Sequence, residues 1–398
     1  MTDARFTAAV VAAQVLVQIG AFTLPALLPG YMDRWSLSAT EAGWLVGIFF
    51  AAYVVAVPVL VALTDRLPAG RIYLIGAGAT ALSHLGFVVF ADGFWSALAF
   101  RVLGGIGWAG AYMPGLKVLA DRQEGAAQSR AVSWHAAGVG IAGAVSFAVA
   151  GAIDALAGPE AAFLFGGVAA VAAGAIGIAV MPNTAPRTTR SLAAALDFRP
   201  VFRNRAVMAW IAGYTAHTWE LGALRAWGVT FLAAAIALHG APAWLPGPNL
   251  LFTVAGLVGV AISVAGNETA QRIGRVRMVA WAMGVGAVFS VAAGFSLLVS
   301  APLAALCVLV WNAAIYLDSA ALTAGTVAAA ERERRGATMG LHSMCGYAGG
   351  FVGPVAVGMA LDLAGAEAVL GWVLGFGQIA LVTLAGLWAV RRLGRATP

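Results

Sequence analysis

Apolar runs of about 20 residues recur along the whole chain, and each is long enough to cross a bilayer as a helix. The 398 residues contain twelve such runs, at roughly 6–30, 40–63, 71–91, 94–117, 130–154, 160–181, 206–236, 248–270, 277–299, 302–328, 337–362 and 367–390. Only 10% of the residues are charged, whereas soluble domains carry about 25%. The sequence therefore predicts an all-α integral membrane protein with twelve transmembrane helices, numbered below as spans one to twelve.

The longest polar connection separates six spans from six. We predict a helical bundle over 1–181, a cytoplasmic linker over 182–205 and a second bundle over 206–398. Adding 207 to positions in span five gives matching residues in span eleven: His135 and His342, Gly143 and Gly350, Gly151 and Gly358. Such internal similarity favours two pseudo-symmetric six-helix bundles.

Basic residues predict the orientation, because they concentrate on the cytoplasmic side of membrane proteins. With the N-terminus in the cytoplasm, all but three of the 23 basic residues face inward, the exceptions being Arg34, Arg101 and Arg225. We expect both termini in the cytoplasm and the inner plasma membrane as the location. The net charge of +6 does not indicate nucleic acid, because the basic residues lie in short loops.

Two short cytoplasmic loops combine an acidic residue, arginines and a turn glycine, a pattern typical of a charge clamp at helix ends. The loops carry Asp65, Arg66, Gly70 and Arg71 after span two, and Glu268, Arg272, Gly274 and Arg275 after span eight.

In these loops the chain resembles the major facilitator superfamily, whose loop signature is a Gly, an Asp-Arg pair, and a Gly with basic residues. The first copy departs from the signature at Val61, and the second has Ala270 in place of the Asp. The resemblance implies that fold and a gating role for the eight loop residues. Arg101, with Gly104, Gly105 and Gly107, resembles the family's fourth-helix motif, which is linked to proton coupling. Span five lacks the proline of the drug/proton antiporter signature, which argues against drug efflux.

Nine polar residues inside the apolar runs are the predicted substrate-binding and coupling residues. Ionisable groups at membrane depth are costly and mark pathways for solutes or protons. In the family the resembled helices one, four, seven and ten line the central cavity, and these nine residues fall on those four spans: Gln14, Gln18, Arg101, Tyr214, His217, Glu220, Arg225, Asn312 and Asp318.

Span seven carries the densest group of these residues. His217 and Glu220 are three residues apart and share a helix face, whereas Glu220 and Arg225 are five apart and do not. We therefore expect Glu220 and Arg225 to pair across helices, with Arg101, Asp318 or solute. Burial disfavours the charged carboxylate, so Glu220 or Asp318 could carry a coupling proton. A static salt bridge between helices is the alternative for both.

The function expected from these features is secondary active transport of a small organic solute by alternating access, coupled to protons. Arg101 and Arg225 would attract an anion, but the sequence leaves the charge of the solute open. Drug or metabolite efflux is one alternative. Soft-metal transport is another, because Met339, His342 and Cys345 offer copper ligands every three residues.

No catalytic spacing indicates an enzyme, and we predict no cofactor and no bound metal. The expected partners are the solute, protons and the lipid bilayer, with a monomeric chain and no nucleic acid.

The predicted orientation can be tested by cysteine labelling in intact cells. Cysteines introduced at 239–249 should react with an impermeant reagent from outside, and cysteines at 187–199 should react only after the membrane is opened. The reverse pattern would overturn the topology.

Overall fold

The structure is a computed structural model that describes residues 1–184, 197–365 and 369–394. These residues form fourteen α-helices, a 3-10 turn at Arg332–Arg334 and no β-strand, so the all-α prediction is confirmed. The helices are α1 Asp3–Gln18, α2 Thr23–Trp35, α3 Ala39–Leu63, α4 Ala69–Phe90, α5 Phe94–Ala120, α6 Gly125–Ala157, α7 Pro159–Val180, α8 Arg199–Arg203, α9 Arg205–His239, α10 Pro248–Ile273, α11 Arg275–Ser296, α12 Ala301–Ala329, α13 Arg335–Ala364 and α14 Val369–Leu393.

Each predicted span coincides with a long helix or, for span one, with two consecutive helices. By length and composition, eleven candidate spans are apolar enough to cross a membrane, with Asp3–Trp35 counted as one of them. The remaining long helix, α5, has 27 residues and carries both Arg101 and Lys117.

The first predicted span is broken between α1 and α2, so the expectation of one continuous helix over 6–30 is wrong. Side chains from neighbouring helices satisfy the backbone at the break. His84 Nε2 lies 3.0 Å from the Gly20 carbonyl oxygen, and the Phe22 N–H donates to Ser146 Oγ at 3.0 Å. Hydrocarbon offers no such partners, and an apolar run alone does not reveal them.

The helices group into two compact units, Met1–Leu27 with Ala51–Leu196, and Leu28–Phe50 with Asp197–Pro398. The predicted division placed 28–50 in the first bundle, whereas here these residues group with the second unit. The reason is the contact between α3 and α13. The Asp362 carboxylate caps α3 by accepting from the Ala39 and Thr40 N–H groups, each at 2.8 Å.

The predicted linker at 182–205 is described only at its ends. Residues 182–184 continue from α7, and 197–205 include the short helix α8. Arg187 and Arg190 lie outside the described residues.

In the first unit, glycines bring α4 and α5 into backbone contact. A Cβ at Gly76 would collide with the backbone of Gly110, and one at Gly107 would collide with Thr80. Small residues let membrane helices approach in this way. The apolar core beside this contact includes Phe6, Val10 and Tyr73, and is formed mainly by α1, α4, α5 and α7.

In the second unit, glycines bring α9 and α13 together. A Cβ at Gly222 would lie 2.8 Å from the Gly350 Cα, and a Cβ at Gly349 or Gly353 would collide with a carbonyl oxygen of α9. Helix α9 also packs against α12 and α14. This close packing places the polar residues of α9 against side chains from these neighbours.

We predict that Gly349→Ala lowers the free energy of unfolding by about 1–3 kcal/mol, because a methyl group would overpack the α9–α13 contact. Gly377→Ala on α14 is the matched control, since its Cβ meets nothing within 4 Å. The control should be neutral or slightly stabilising, because alanine is the better helix former. Thermal unfolding of the purified chain, followed by tryptophan fluorescence, measures both. Equal shifts for the two variants would contradict the packing argument.

Candidate functional site

A buried pair between α9 and α12 forms the first part of the site. His217 Nδ1 lies 2.7 Å from Asp318 Oδ1, and the two side chains are only 3% and 2% exposed. The two residues are 101 positions apart in the chain. Breaking a buried pair by removing one partner is costly, about 3–5 kcal/mol. This pair therefore holds α9 and α12 in register.

Glu220 lies one turn further along α9 and accepts from two neutral donors. The Trp311 indole N–H donates to Oε1, and the Thr383 hydroxyl donates to Oε2 at 3.1 Å. Gly286 on α11 leaves room for the carboxylate, because a Cβ there would lie 2.8 Å from Oε1.

The expectation that Glu220 pairs with a cation is therefore wrong for the described residues, which place none in an ion pair with it. Its partner is on another helix, as predicted, but the two carboxylate oxygens are occupied by an indole and a hydroxyl. The pairing of Asp318 with His217 instead accounts for the acid that the sequence had offered as a partner for Arg225.

Arg225 and Asn312 bond to groups on other helices. The Arg225 Nη2 donates to the Tyr316 hydroxyl at 2.6 Å, and its guanidinium carbon lies 5.9 Å from the centre of the Tyr316 ring. Asn312 Nδ2 donates to the Ala255 carbonyl oxygen at 2.9 Å, which ties α12 to α10. Arg101 lies on α5 in the first unit and is almost fully buried.

Tyr214 lies between two histidines and extends the site toward α13. Its ring is stacked on His217 at 5.6 Å and on His342 at 3.8 Å between centroids. Thr326 Oγ1 donates to the Leu322 carbonyl oxygen and lies 3.1 Å from His342 Nδ1. Because a hydroxyl has one proton to donate, His342 Nδ1 must be the donor in the second contact.

A second polar group lies in the first unit and consists of Gln14, Gln18, Tyr73 and His135, which we call the neutral cluster. All four residues are buried, and their side-chain polar atoms have no hydrogen-bond partner among the described residues. A Cβ at Gly115 would lie 2.9 Å from Gln14 Oε1 and 3.3 Å from His135 Nε2, so these two side chains flank the same point of α5. Buried polar groups normally have partners, and this cluster has hydrogen-bonding capacity for a polar solute or water.

The predicted gating loops are placed by backbone contacts. Gly70 packs against the Pro182 carbonyl oxygen, and Arg71 Nε donates to Asn183 Oδ1. Gly274 has φ +92°, a conformation that favours glycine. Among the described residues, Asp65, Arg66, Arg71, Glu268, Arg272 and Arg275 form no ion pair with one another. The expected charge clamp is thus not formed here, and the gating role stays a prediction.

Sequence reasoning missed Trp311, Thr383, Tyr316 and Tyr73 as parts of the site and treated His135 and His342 as helix contacts. Trp311 offered a signal, since it lies in the middle of span ten, away from the interfaces where tryptophan is enriched. Thr383 offered none. The described residues contain no group of three or more His, Cys, Asp or Glu side chains placed to hold a metal ion.

A sequence model of the Major Facilitator Superfamily matches residues 10–354, which is most of the chain. The chain belongs to the major facilitator superfamily. Because this family and the similar solved structures are transporters, the chain is a multi-pass membrane transporter and not an enzyme. A comparison with curated protein sequences finds no significant match.

Solved structures of similar fold cover this facilitator from end to end. The nucleoside transporter NupG has a TM-score of 0.80 at 12% identity, covering 98% of this chain and 100% of its own. A bacterial homologue of the human lysosomal transporter Spinster, inward-facing and occupied, has 0.79 at 16%, covering 99% and 98%. The human organic anion transporter TETRAN has 0.70 at 19%, covering 98% and 100%. At these identities the likeness shows the fold alone.

We predict that Gln14→Met leaves the thermal stability of this facilitator unchanged or raises it, while solute-induced stabilisation is lost. Methionine keeps the shape of the side chain and removes a buried amide without partners, which costs about 1–3 kcal/mol. Ser146→Ala is the control, because it removes the acceptor of the Phe22 N–H and should lower stability. Thermal unfolding with and without bound solute measures both effects, and a Gln14→Met protein that still responds to solute would contradict a binding role.

Proposed function

We propose that this facilitator carries a small organic solute across the inner plasma membrane, coupled to protons, by alternating access. The observation that carries the proposal is the hydrogen bonding of Glu220, which suits a carboxyl group that gains and loses a proton. The proposal includes cytoplasmic termini, as the basic residues favour, and a monomeric chain.

The partners of Glu220 can serve both of its protonation states. As a carboxylate it accepts from Trp311 and Thr383. When Oε2 is protonated, the Thr383 hydroxyl can rotate and accept, because a hydroxyl is both donor and acceptor, while the indole continues to donate to Oε1. Protonation therefore leaves neither a buried cation unpaired nor a buried acceptor unsatisfied.

The His217–Asp318 pair complements this arrangement. Its short contact and deep burial make the pair costly to break, so we assign it the role of holding α9 against α12 around Glu220. Tyr214 and His342 stack beside it and extend the polar surface toward α13. In this assignment Glu220 carries the coupling proton and Asp318 positions His217.

The solute we propose is an organic anion with additional hydrogen-bonding groups. Arg101 is a buried cation of the first unit, and Arg225 presents its guanidinium beside a tyrosine in the second. The neutral cluster adds amide and imidazole groups that lack partners among the described residues. A lipophilic cation would be repelled by the two arginines.

The solute class is tested by thermal unfolding of the purified chain against carboxylates, nucleosides, lipophilic cations and copper at two pH values. A ligand at 100 times its Kd stabilises the folded state by about 2.7 kcal/mol. Stabilisation by carboxylates that differs between the two pH values supports the proposal. Stabilisation only by lipophilic cations or copper would overturn it in favour of efflux or metal transport.

With that solute in proteoliposomes, Glu220→Gln should abolish the response of transport to an imposed pH gradient, because an amide cannot take up the proton. Thr383→Val should weaken the response, since valine matches threonine in shape but has no hydroxyl. Thr383→Ser is the matched control and should behave like the unmodified chain. If Glu220→Gln retains the full response to the gradient, the coupling role is refuted. If Thr383→Val and Thr383→Ser behave alike, the reversible hydroxyl is refuted.

A further inference from the structure

One end of the second unit has a basic pocket that plays no part in the proposed transport site. The pocket has a volume of about 1040 Å³ and is lined by Arg275 and Arg277 at the start of α11 and by Arg391 and Arg392 at the end of α14. The buried Trp210 side chain closes its inner wall. Among the described residues, no Asp or Glu lines the pocket, and none of these four arginines is in an ion pair.

The wall of the pocket is held in place by hydrogen bonding and close packing. The Trp210 indole N–H donates to the Gly394 carbonyl oxygen at 2.9 Å, which fixes the end of α14. Gly325 on α12 lies against the same indole, because a Cβ there would collide with it. The four guanidinium groups are thus presented around a cavity with a built wall.

An apolar groove runs from this pocket along α11. It has a volume of about 410 Å³, and it shares Arg277, Ala280 and Arg391 with the pocket. Beyond them it is lined by Trp281, Gly284, Val285, Val288 and Phe289. Trp281 and Val288 are 67% and 64% exposed. This spacing of three and four residues forms one stripe on the helix.

The dimensions of the groove match one leaflet of a bilayer. From Arg277 to Phe289 the helix rises about 18 Å, at 1.5 Å per residue. Half of the hydrocarbon core of a bilayer is about 15 Å thick. A positively charged pocket at the membrane surface therefore continues into an apolar groove that is long enough for an acyl chain.

We propose that the pocket and groove together bind an anionic phospholipid, with its phosphate among the four arginines and one acyl chain along α11. Arginine forks suit phosphate oxygens, and basic pockets between transmembrane helices bind anionic head groups. The phospholipid site is separate from Glu220 and does not rest on the proposed transport function.

The test uses the purified full-length chain, stripped of lipid in detergent, and binding of phosphatidylglycerol measured by native mass spectrometry and thermal unfolding. Phosphatidylglycerol should bind and raise the melting temperature, whereas phosphatidylcholine and inorganic phosphate should not. Equal effects of the two lipids would overturn the proposal, and an equal effect of inorganic phosphate would show a site for free anions instead.

Two variants separate head-group binding from chain binding. Arg277→Gln with Arg391→Gln should weaken phosphatidylglycerol binding by about tenfold or more, because each lost charge-assisted hydrogen bond counts for about a factor of ten. Arg332→Gln with Arg335→Gln is the control, since it removes the same charge from the same unit outside the pocket and should leave binding unchanged. Equal losses in the two double variants would overturn the proposal.

Gly284→Leu fills the groove without changing charge, and a Cβ at this position meets nothing within 4 Å, so the fold should tolerate it. The variant should weaken binding of long-chain phosphatidylglycerol several-fold and leave a short-chain phosphatidylglycerol unaffected. If both lipids bind Gly284→Leu as they bind the unmodified chain, the acyl-chain groove is refuted.

Discussion

Polar groups within the helices of this facilitator depend on partners from other helices, because hydrocarbon supplies none. His217 finds Asp318, and Glu220 finds Trp311 and Thr383. These bonds are possible only because small residues let the backbones approach. The glycines between α9 and α13 and the space at Gly286 therefore belong to the same constraint as the hydrogen bonds. Packing and polar satisfaction are a single requirement in the second unit.

The two units meet this requirement in different ways. In the second unit both oxygens of Glu220 are occupied, which favours one well-defined arrangement. In the first unit, Gln14, Gln18 and His135 are buried with no hydrogen-bond partner among the described residues. An unmade buried hydrogen bond costs about 1–3 kcal/mol, so such a cluster lowers stability until something binds it. We assign proton handling to the saturated network and solute recognition to the unsaturated cluster.

The sequence was sufficient to predict the helices, because apolar length is a local property and each run had it. It also predicted which α9 residues matter, since ionisable groups at membrane depth stand out. It did not predict their partners. Trp311 and Glu220 are 91 positions apart, and no local pattern in either span encodes their contact. The break at Gly20 was missed for the same reason, because His84 and Ser146 satisfy it from elsewhere in the chain.

The cap on α3 has a consequence for how the chain is made. Ala39 obtains its acceptor from Asp362, 323 positions later. At a synthesis rate of about 5–20 residues per second, roughly 15–65 seconds separate the two ends of this bond. During that interval the start of α3 has been inserted but its N–H groups have no carboxylate to bond. Water at the membrane surface or a membrane chaperone must serve them, and the outer end of α3 becomes native only when the penultimate span emerges.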